Sequence, residues 1–295
     1  MQASLAAGLV AGLMTLAAPA LAAGPADCSS GPMANASRTD GYSLKRILRI
    51  AGLTDQGQLV CFDDRKPGKV RMVGNVGGFV GSDTRLVGID YRPQDGLLYG
   101  VGNAGGLYQV DTSSAQLTAV GMLSVAPDPA ATRFGVDFNP AANALRIVSD
   151  AGQNLRQSFA NLGTGNPLAP TATDGALTGG GVVGAAYTNN DLSPLTGTTL
   201  FDLNATQVLL QSPPNNGNLA ATGSLTVTAD AGTDAGFDIY SVLRGDVTVA
   251  QRALAALTVD GQAMLYEVDL LTGKAKARSR IGANVVDIAV PLTQY

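Results

Sequence analysis

The stretch Gly88-Ile89-Asp90-Tyr91 recurs along the chain, and its recurrence decides the fold. It returns as Gly135-Val136-Asp137-Phe138 and as Gly236-Phe237-Asp238-Ile239. Gly184-Ala185-Ala186-Tyr187 lacks the acid, and Val285-Val286-Asp287-Ile288 lacks the glycine. The first residues, at positions 88, 135, 184, 236 and 285, are therefore 47, 49, 52 and 49 positions apart. Short apolar segments repeated at such a period are typical of a β-propeller, in which small sheets surround an axis.

The second repeat shows what one unit contains. Apolar segments at 86–91, 97–102, 107–111 and 116–122 predict four strands, and turn formers such as Asp95-Gly96 separate them. Short turns between successive strands are typical of an antiparallel meander. Each repeat is thus expected to form one four-stranded blade.

The two ends of the chain indicate how the ring closes. The first unit, which starts at residue 44, has three predicted strands, while 286–292 is a lone strand at the other end. Pairing that strand with the first unit removes exposed sheet edges. The sequence therefore predicts an all-β, five-bladed β-propeller of four-stranded antiparallel blades, formed as a single domain by residues 44–295. Six blades are the alternative, if 126–133 or 160–181 contains a further strand pair.

Composition excludes several kinds of active site. The chain of 295 residues has a net charge of −4, which argues against a nucleic-acid-binding surface. Histidine is absent, which excludes Ser-His-Asp and Cys-His catalysis and histidine-bound metals. The sequence also lacks a Gly-x-x-x-x-Gly-Lys phosphate loop. These absences favour a non-catalytic protein, and a metal-dependent lyase or hydrolase using Asp, Tyr and Arg groups is the alternative.

The N-terminal region predicts export. Residues 1–22 are apolar and end in Ala20-Leu21-Ala22, as in a signal peptide with its cleavage site. No basic residue precedes Arg38, so the usual basic start is missing, and a membrane anchor is the alternative. Residues 23–43 are interpreted as a leader segment, and the mature protein is expected to be secreted or periplasmic, without stable membrane insertion. In such an oxidising compartment Cys28 and Cys61 are expected to form a disulfide.

Several segments of the repeats together resemble a known family. They are Gly52-Leu53-Thr54-Asp55, Leu86-Val87-Gly88-Ile89-Asp90-Tyr91-Arg92-Pro93, Phe134-Gly135-Val136-Asp137-Phe138-Asn139-Pro140, Val148-Ser149-Asp150-Ala151-Gly152-Gln153-Asn154-Leu155-Arg156 and Ala185-Ala186-Tyr187-Thr188-Asn189-Asn190. The chain is similar to the DUF4394 family in these segments, and the similarity extends over nearly the whole mature chain. Members of that family are exported bacterial proteins with a propeller-like repeat and no assigned function. The resemblance implies the fold and the export, and it supplies no catalytic residues.

The repeated acid is the first candidate site. If the repeated strands are the innermost ones, Asp90, Asp137, Asp238 and Asp287 approach the axis together, with Ala186 in the remaining unit. Oxygen ligands of this kind suit a hard cation such as Ca²⁺. The favoured interpretation is structural, with each acid accepting backbone hydrogen bonds that fix one blade to the next. No cofactor is therefore expected, and Ca²⁺ is the alternative.

A candidate ligand site lies in the loops of the third and fourth blades. Its side chains suit carboxylates or sugar hydroxyls, and they are Arg146, Asp150, Gln153, Asn154, Arg156, Asn189 and Asn190. Asn189 and Asn190 are expected on the turn that corresponds to the one around Gly152. Ordinary turn chemistry, with the arginines on solvated strand faces, is the alternative.

Two further charged stretches have both a binding and a structural interpretation. Asp230, Asp234 and Asp238 could wrap Ca²⁺, and a solvated loop before a strand explains them equally well. Four basic residues at every second position are expected on one face of an outermost strand. There they discourage pairing with the sheet edge of another molecule, or they bind an anionic polymer. These cations are Lys274, Lys276, Arg278 and Arg280.

Taken together, the residues predict an exported, monomeric binding or scaffold module. Its partner is expected to be an envelope or extracellular ligand of unknown identity, a protein or a glycan, and not a nucleic acid. A purely structural protein of the cell envelope is a further alternative.

Overall fold

A computed structural model describes Cys28 and residues 47–294, which form five separate four-stranded sheets. The predicted signal peptide and leader lie outside the described residues, apart from Cys28. Among the residues described, no helix is long and apolar enough to cross a membrane.

Each sheet is one blade, and the strands are numbered along the chain. Blade 1 contains β1 (Arg49–Thr54), β2 (Gln58–Asp63) and β3 (Arg71–Asn75) together with the last strand, β20 (Val285–Ala289). Blade 2 contains β4 (Leu86–Tyr91), β5 (Leu98–Gly102), β6 (Gly106–Val110) and β7 (Leu117–Met122). Blade 3 contains β8 (Phe134–Asn139), β9 (Ala144–Ser149), β10 (Asn154–Ser158) and β11 (Ala172–Thr173).

The last two blades follow the same antiparallel order. Blade 4 contains β12 (Gly184–Tyr187), β13 (Leu200–Leu203), β14 (Gln207–Gln211) and β15 (Leu219–Ser224). Blade 5 contains β16 (Ala235–Arg244), β17 (Val247–Val259), β18 (Gln262–Val268) and β19 (Ala275–Arg280). A short 3-10 helix, Pro214–Asn216, connects β14 to β15.

The C-terminal strand closes the ring. β20 pairs with β1, so that Ala289 lies opposite Ala51 and Asp287 opposite Leu53. The innermost strands β4, β8, β12, β16 and β20 contact one another in a circle. The predicted five-bladed propeller is thereby confirmed. The six-bladed alternative is not realised, because 126–133 forms no strand and 160–181 contributes only β11, which completes blade 3.

The antiparallel order gives the propeller two distinct ends. We call the end at which the innermost strands begin the entry face, and the end at which they finish the exit face. Because the second strand of a blade runs back, the turn between its second and third strands lies on the entry face. The connection between its first and second strands lies on the exit face.

The core consists of apolar layers between neighbouring blades. Strand residues alternate between two faces, so Leu145 and Ile147 of β9 pack towards blade 2 while Val148 packs towards blade 4. The long hairpin of β16 and β17 reaches past blade 5, and its Leu243 packs on the core between blades 1 and 2. Burial of such side chains is the main favourable contribution to the stability of the ring.

A disulfide joins the N-terminal segment to the first blade. Cys28 and Cys61 are bonded, with Cα atoms 5.9 Å apart, and both are fully buried. The Tyr91 hydroxyl donates a hydrogen bond to the Cys28 carbonyl. Cys28 is thus fixed to blades 1 and 2.

Candidate functional site

The innermost strands bring one position of each blade to the axis. We call this set the axial row, and its members are Asp90, Asp137, Ala186, Asp238 and Ala289. The three acids are buried, and one carboxylate oxygen from each lies within 4.8 Å of the others. The sequence correctly identified these acids and Ala186 as equivalent positions.

Each acid of the axial row is bonded to the next blade. Asp90 accepts a hydrogen bond of 2.7 Å from the backbone N–H of Phe138, and Asp137 accepts one of 2.9 Å from Tyr187. Asp238 accepts in the same way from Val290. In each case the donor is the residue that follows the row position of the neighbouring blade. The row therefore ties the blades together in sequence around the ring.

The two alanines interrupt this chain of bonds, and the acids of the following blades compensate. Ala186 offers no acceptor to blade 5, and the N–H of Ile239 is accepted instead by the adjacent Asp238. Ala289 of blade 1 likewise offers no acceptor to blade 2. There, Asp90 accepts a hydrogen bond from the backbone N–H of the adjacent Tyr91. Both carboxylate oxygens of Asp238 thus accept hydrogen bonds from the backbone.

Asp287 does not belong to the axial row, which differs from the expected register. The backbone of Asp287 and Ile288 lies against Gly236, where glycine allows close approach, so Asp287 occupies the glycine position of its repeat. Its carboxylate accepts a hydrogen bond of 2.8 Å from Ile89, two positions nearer the entry face than Tyr91. Side chains two positions apart point to the same face of a strand, which is why the sequence pattern did not reveal the shift.

Burial dominates the electrostatics of these acids. It raises the pKa of Asp90 and Asp137 well above the ordinary value, and the charges of the neighbouring acids add to the effect. Burial also raises the pKa of Asp238 to about 6, against two backbone hydrogen bonds that lower it. Close carboxylates of this kind hold protons or a hard cation. The three axial oxygens suit such a cation, while the hydrogen bonds already explain why acids are needed there.

The predicted arginine site is an internal network between blades 3 and 4. Arg146 is fully buried and donates to Asn154 and Asp174 at 2.7 Å each, and to Asn215 at 2.9 Å. Arg156 also pairs with Asp174, at 3.1 Å. These side chains were expected on solvated faces or in a loop. Arg146 and Asn154 instead hold the 3-10 helix against blade 3, while Arg156 stays partly exposed. The Arg146 and Asn154 side chains are engaged with the protein itself.

Two buried groups beside this network lack partners. Both carboxylate oxygens of Asp202 and the side-chain carbonyl of Gln211 have no hydrogen-bond partner among the residues described. Gln211 pairs with Leu200, so it lies diagonally from Asp202 on the same face of blade 4. Burial raises the pKa of Asp202 to about 8, against the lowering effect of the Arg146 charge. The two groups without partners therefore lie on one face of blade 4.

The remaining predicted ligand residues lie on opposite faces. Asp150 and Gln153 are in the turn between β9 and β10, on the entry face. Asn189 and Asn190 follow β12 and lie on the exit face, so the expected correspondence of the two turns was wrong. Asn190 donates 2.9 Å to the Ile239 carbonyl, and Asn189 donates 2.6 Å to Gly197. The structure therefore does not bring the seven predicted residues into one site.

A cavity of about 390 Å³ opens at the entry end of the axis. We call it the mouth, and its rim includes Asp55, Arg85, Thr132 and Asp234, with a floor of Leu53, Leu86, Phe134 and Val286. These residues come from the β1–β2 turn and from the starts of four innermost strands or the residues just before them. Asp90 lies roughly 10 Å further along its strand than Val87, which also lines the mouth.

One predicted residue supports the rim. Asp150 accepts hydrogen bonds from the backbone and hydroxyl of Thr132, at 3.1 and 2.7 Å, and forms an ion pair of 2.8 Å with Arg133. Sequence reasoning missed Arg85 and the role of Asp234 here. Both directly precede an innermost strand, at the end of a connection between blades.

The other charged stretches are also divided by the fold. Asp230 accepts from the backbone of Asp260 and Gly261, away from Asp234 in the mouth and Asp238 at the axis. In β19 a bulge breaks the expected alternation. Lys276 lies opposite Glu267, and Arg280 lies opposite Met264. Because Glu267 and Met264 are three positions apart on β18, they lie on different faces of the sheet, and so do the two cations opposite them. Arg278 forms an ion pair with Glu267.

The chain has distant similarities to solved structures. The chain is similar to TolB from Acinetobacter baumannii, at 13% identity and a TM-score of 0.41, over 83% of this chain and 67% of that chain. It is also similar to glutaminyl cyclase of Myxococcus xanthus, at 14% identity and a TM-score of 0.37, over 69% of this chain and 69% of that chain. A chain of a mitotic checkpoint complex is similar at 14% identity and a TM-score of 0.38, over 98% of this chain and 92% of that chain. A comparison with curated protein sequences returned no match.

The family comparison covers most of the chain. A profile described as "Domain of unknown function (DUF4394)" matches residues 58–289, from β2 to the closing strand. The matched region includes the whole axial row and most of the mouth. The chain therefore belongs to the DUF4394 family.

Proposed function

We propose that the protein is an exported, monomeric, non-catalytic propeller that binds a small ligand, or the end of a larger one, in the mouth. The observation that carries the proposal is the cavity of about 390 Å³ with an apolar floor and a charged rim. Ligand sites are usually concave, mainly apolar and furnished with a few polar groups. We therefore place the candidate ligand face at the entry end of the axis and not on the loops of blades 3 and 4, where the sequence predicted it.

The arrangement of the chain supports a binding role for the mouth. Its residues come from blades 1, 2, 3 and 5, so the closed ring holds them in fixed relative positions. Beneath them, the axial acids are engaged with backbone N–H groups. Loops positioned by a rigid scaffold are a common location for binding residues. Export is supported by the signal-like N-terminus and by the Cys28–Cys61 disulfide.

Methyl NMR with a panel of small molecules tests this proposal. Amino acids, monosaccharides and dicarboxylates would be added separately to the labelled protein. At least one is expected to shift the methyl signals of Leu53, Leu86 and Val286 saturably. The methyl signals of Leu195, which is 91% exposed on the exit face, serve as the control and should not move.

A variant in which a larger side chain fills the mouth is the matched control for this experiment. Val286→Phe is expected to abolish the shifts, while unchanged methyl signals of the buried Leu145 and Ile147 show that the fold is kept. Saturable shifts confined to the exit face, or a panel that leaves the mouth signals unchanged, would contradict the proposal.

A further inference from the structure

Two rim side chains of opposite charge have no partner. The guanidinium of Arg85 and the carboxylate of Asp234 make no hydrogen bond or ion pair with any described residue. The neighbouring charges are engaged, since Asp55 accepts from Asn284 and Arg133 pairs with Asp150. Among the described lining residues, one cation and one anion of the mouth are thus left without a partner.

The position of these two charges leaves space between them. Arg85 precedes β4 of blade 2 and Asp234 precedes β16 of blade 5, and blade 1 lies between those blades in the ring. Partial burial raises the pKa of Asp234, while the charges of Arg133 and Arg85 oppose the rise. Arg85 therefore acts electrostatically on Asp234 without touching it. A guest between them could neutralise both charges.

The floor below the charges is apolar. Leu86, Phe134 and Val286 line it, and the partly buried Phe79 lies at its side. A ligand that satisfies the rim and the floor together has an ammonium, a carboxylate and an aliphatic or aromatic group. Each charge of such a ligand meets an opposite charge in the mouth, which offsets the cost of removing that charge from water.

We infer that the mouth binds zwitterionic molecules with an apolar side chain, either free α-amino acids or short peptides. The ammonium lies against Asp234, the carboxylate against Arg85 and the side chain on the floor. This inference rests on the proposed function and narrows it to one chemical class. No bond is made or broken in the complex.

Calorimetric titration of the full mature protein tests the inference. The probes are L-leucine and glycyl-L-leucine, with leucinamide and 4-methylpentanoate as analogues that carry one charge each. We expect leucine or the dipeptide to bind about tenfold or more tightly than either analogue, as charge-assisted hydrogen bonds require. The better of the two zwitterions distinguishes an amino acid from a peptide ligand.

Charge-removing variants assign the two contacts. Arg85→Gln should weaken the zwitterion about tenfold or more and leave leucinamide unchanged. Asp234→Asn should weaken the zwitterion similarly and leave 4-methylpentanoate unchanged. Arg71→Gln, an exposed arginine on the outermost strand of blade 1, is the control and should change nothing.

The outcomes separate this inference from the proposed function. Equal binding of the zwitterions and the analogues, or zwitterion binding that ignores both variants, overturns the inference. If neither zwitterion binds while a sugar or a dicarboxylate shifts the mouth signals, the inference fails and the proposed function stands. If no probe reaches the mouth, both fail.

Discussion

The carboxylate of Asp137 on β8 accepts a 2.9 Å hydrogen bond from the backbone N–H of Tyr187 on β12. Both groups are buried, and they belong to neighbouring blades. A buried N–H that loses its acceptor keeps its full desolvation cost. The bond therefore explains why the repeated phrase contains an acid at this position.

Removing the Asp137 acceptor should destabilise the propeller. Asp137→Ala is expected to lower the free energy of unfolding by about 1–3 kcal/mol, because Tyr187 N–H is left unpaired. Asp137→Asn is the matched control, since it keeps an acceptor oxygen and removes a like charge from the axis. Chemical denaturation measures both. An alanine variant as stable as the wild type would show that the bond contributes little.

Removing the closing strand should have a much larger effect. Deletion of residues 286–295 takes away most of β20 and leaves β1 as an unpaired edge. Aggregation or a large loss of thermal stability is expected, and light scattering with thermal melting measures it. A truncated protein that stays monomeric, with an unchanged melting temperature, would argue against the circular closure.

The cysteines should be oxidised in the exported protein. Protein recovered from the periplasm or medium is expected to contain no free thiol, because Cys28 and Cys61 are bonded. Alkylation before and after reduction, followed by mass measurement, determines this. Two thiols that alkylate without reduction would refute the prediction.

Asp202 should make stability depend on pH. Its pKa is about 8 in the folded state against 3.8 ordinarily, so between these values the folded protein holds a proton that the unfolded chain has released. Stability from this group is present at low pH and is lost as pH rises towards about 8, at up to about 1.4 kcal/mol per unit.

Asp202→Asn isolates this contribution. The axial acids also have raised pKa values and add to the same slope, so the difference between variant and wild type is the quantity to measure. The variant should lose less stability between pH 5 and pH 8 than the wild type does, by about 1.4 kcal/mol per unit at most. Identical slopes would mean that Asp202 titrates in an ordinary range.

The sequence predicted the elements that a local pattern determines. Residues 86–91 form β4 as expected, because the apolar segment and its turns define that strand without further context. The register of Asp287 could not be obtained in this way, since a shift by two positions preserves the alternation of a strand. The bulge in β19 likewise leaves no signal in the spacing of Lys276 and Arg280.

The mouth was hidden for a different reason. Arg85 and Asp234 are distant in sequence, and only the ring places them around one cavity. Arg146 was predicted to bind a ligand, but its burial depends on Asp174, Asn154 and Asn215, which three separate segments supply. Partners contributed by distant segments are not visible in a single stretch of sequence.

Thermal melting with Ca²⁺ tests most directly the central claim that the axial acids connect the blades and do not hold a cation. Addition of millimolar Ca²⁺, compared with NaCl at equal ionic strength, is expected to leave the melting temperature of the wild type unchanged. Asp137→Asn should behave alike, because the axial carboxylates already accept backbone hydrogen bonds. A rise of many degrees that is specific to Ca²⁺ and lost in Asp137→Asn would contradict the account and place the functional site at the axis.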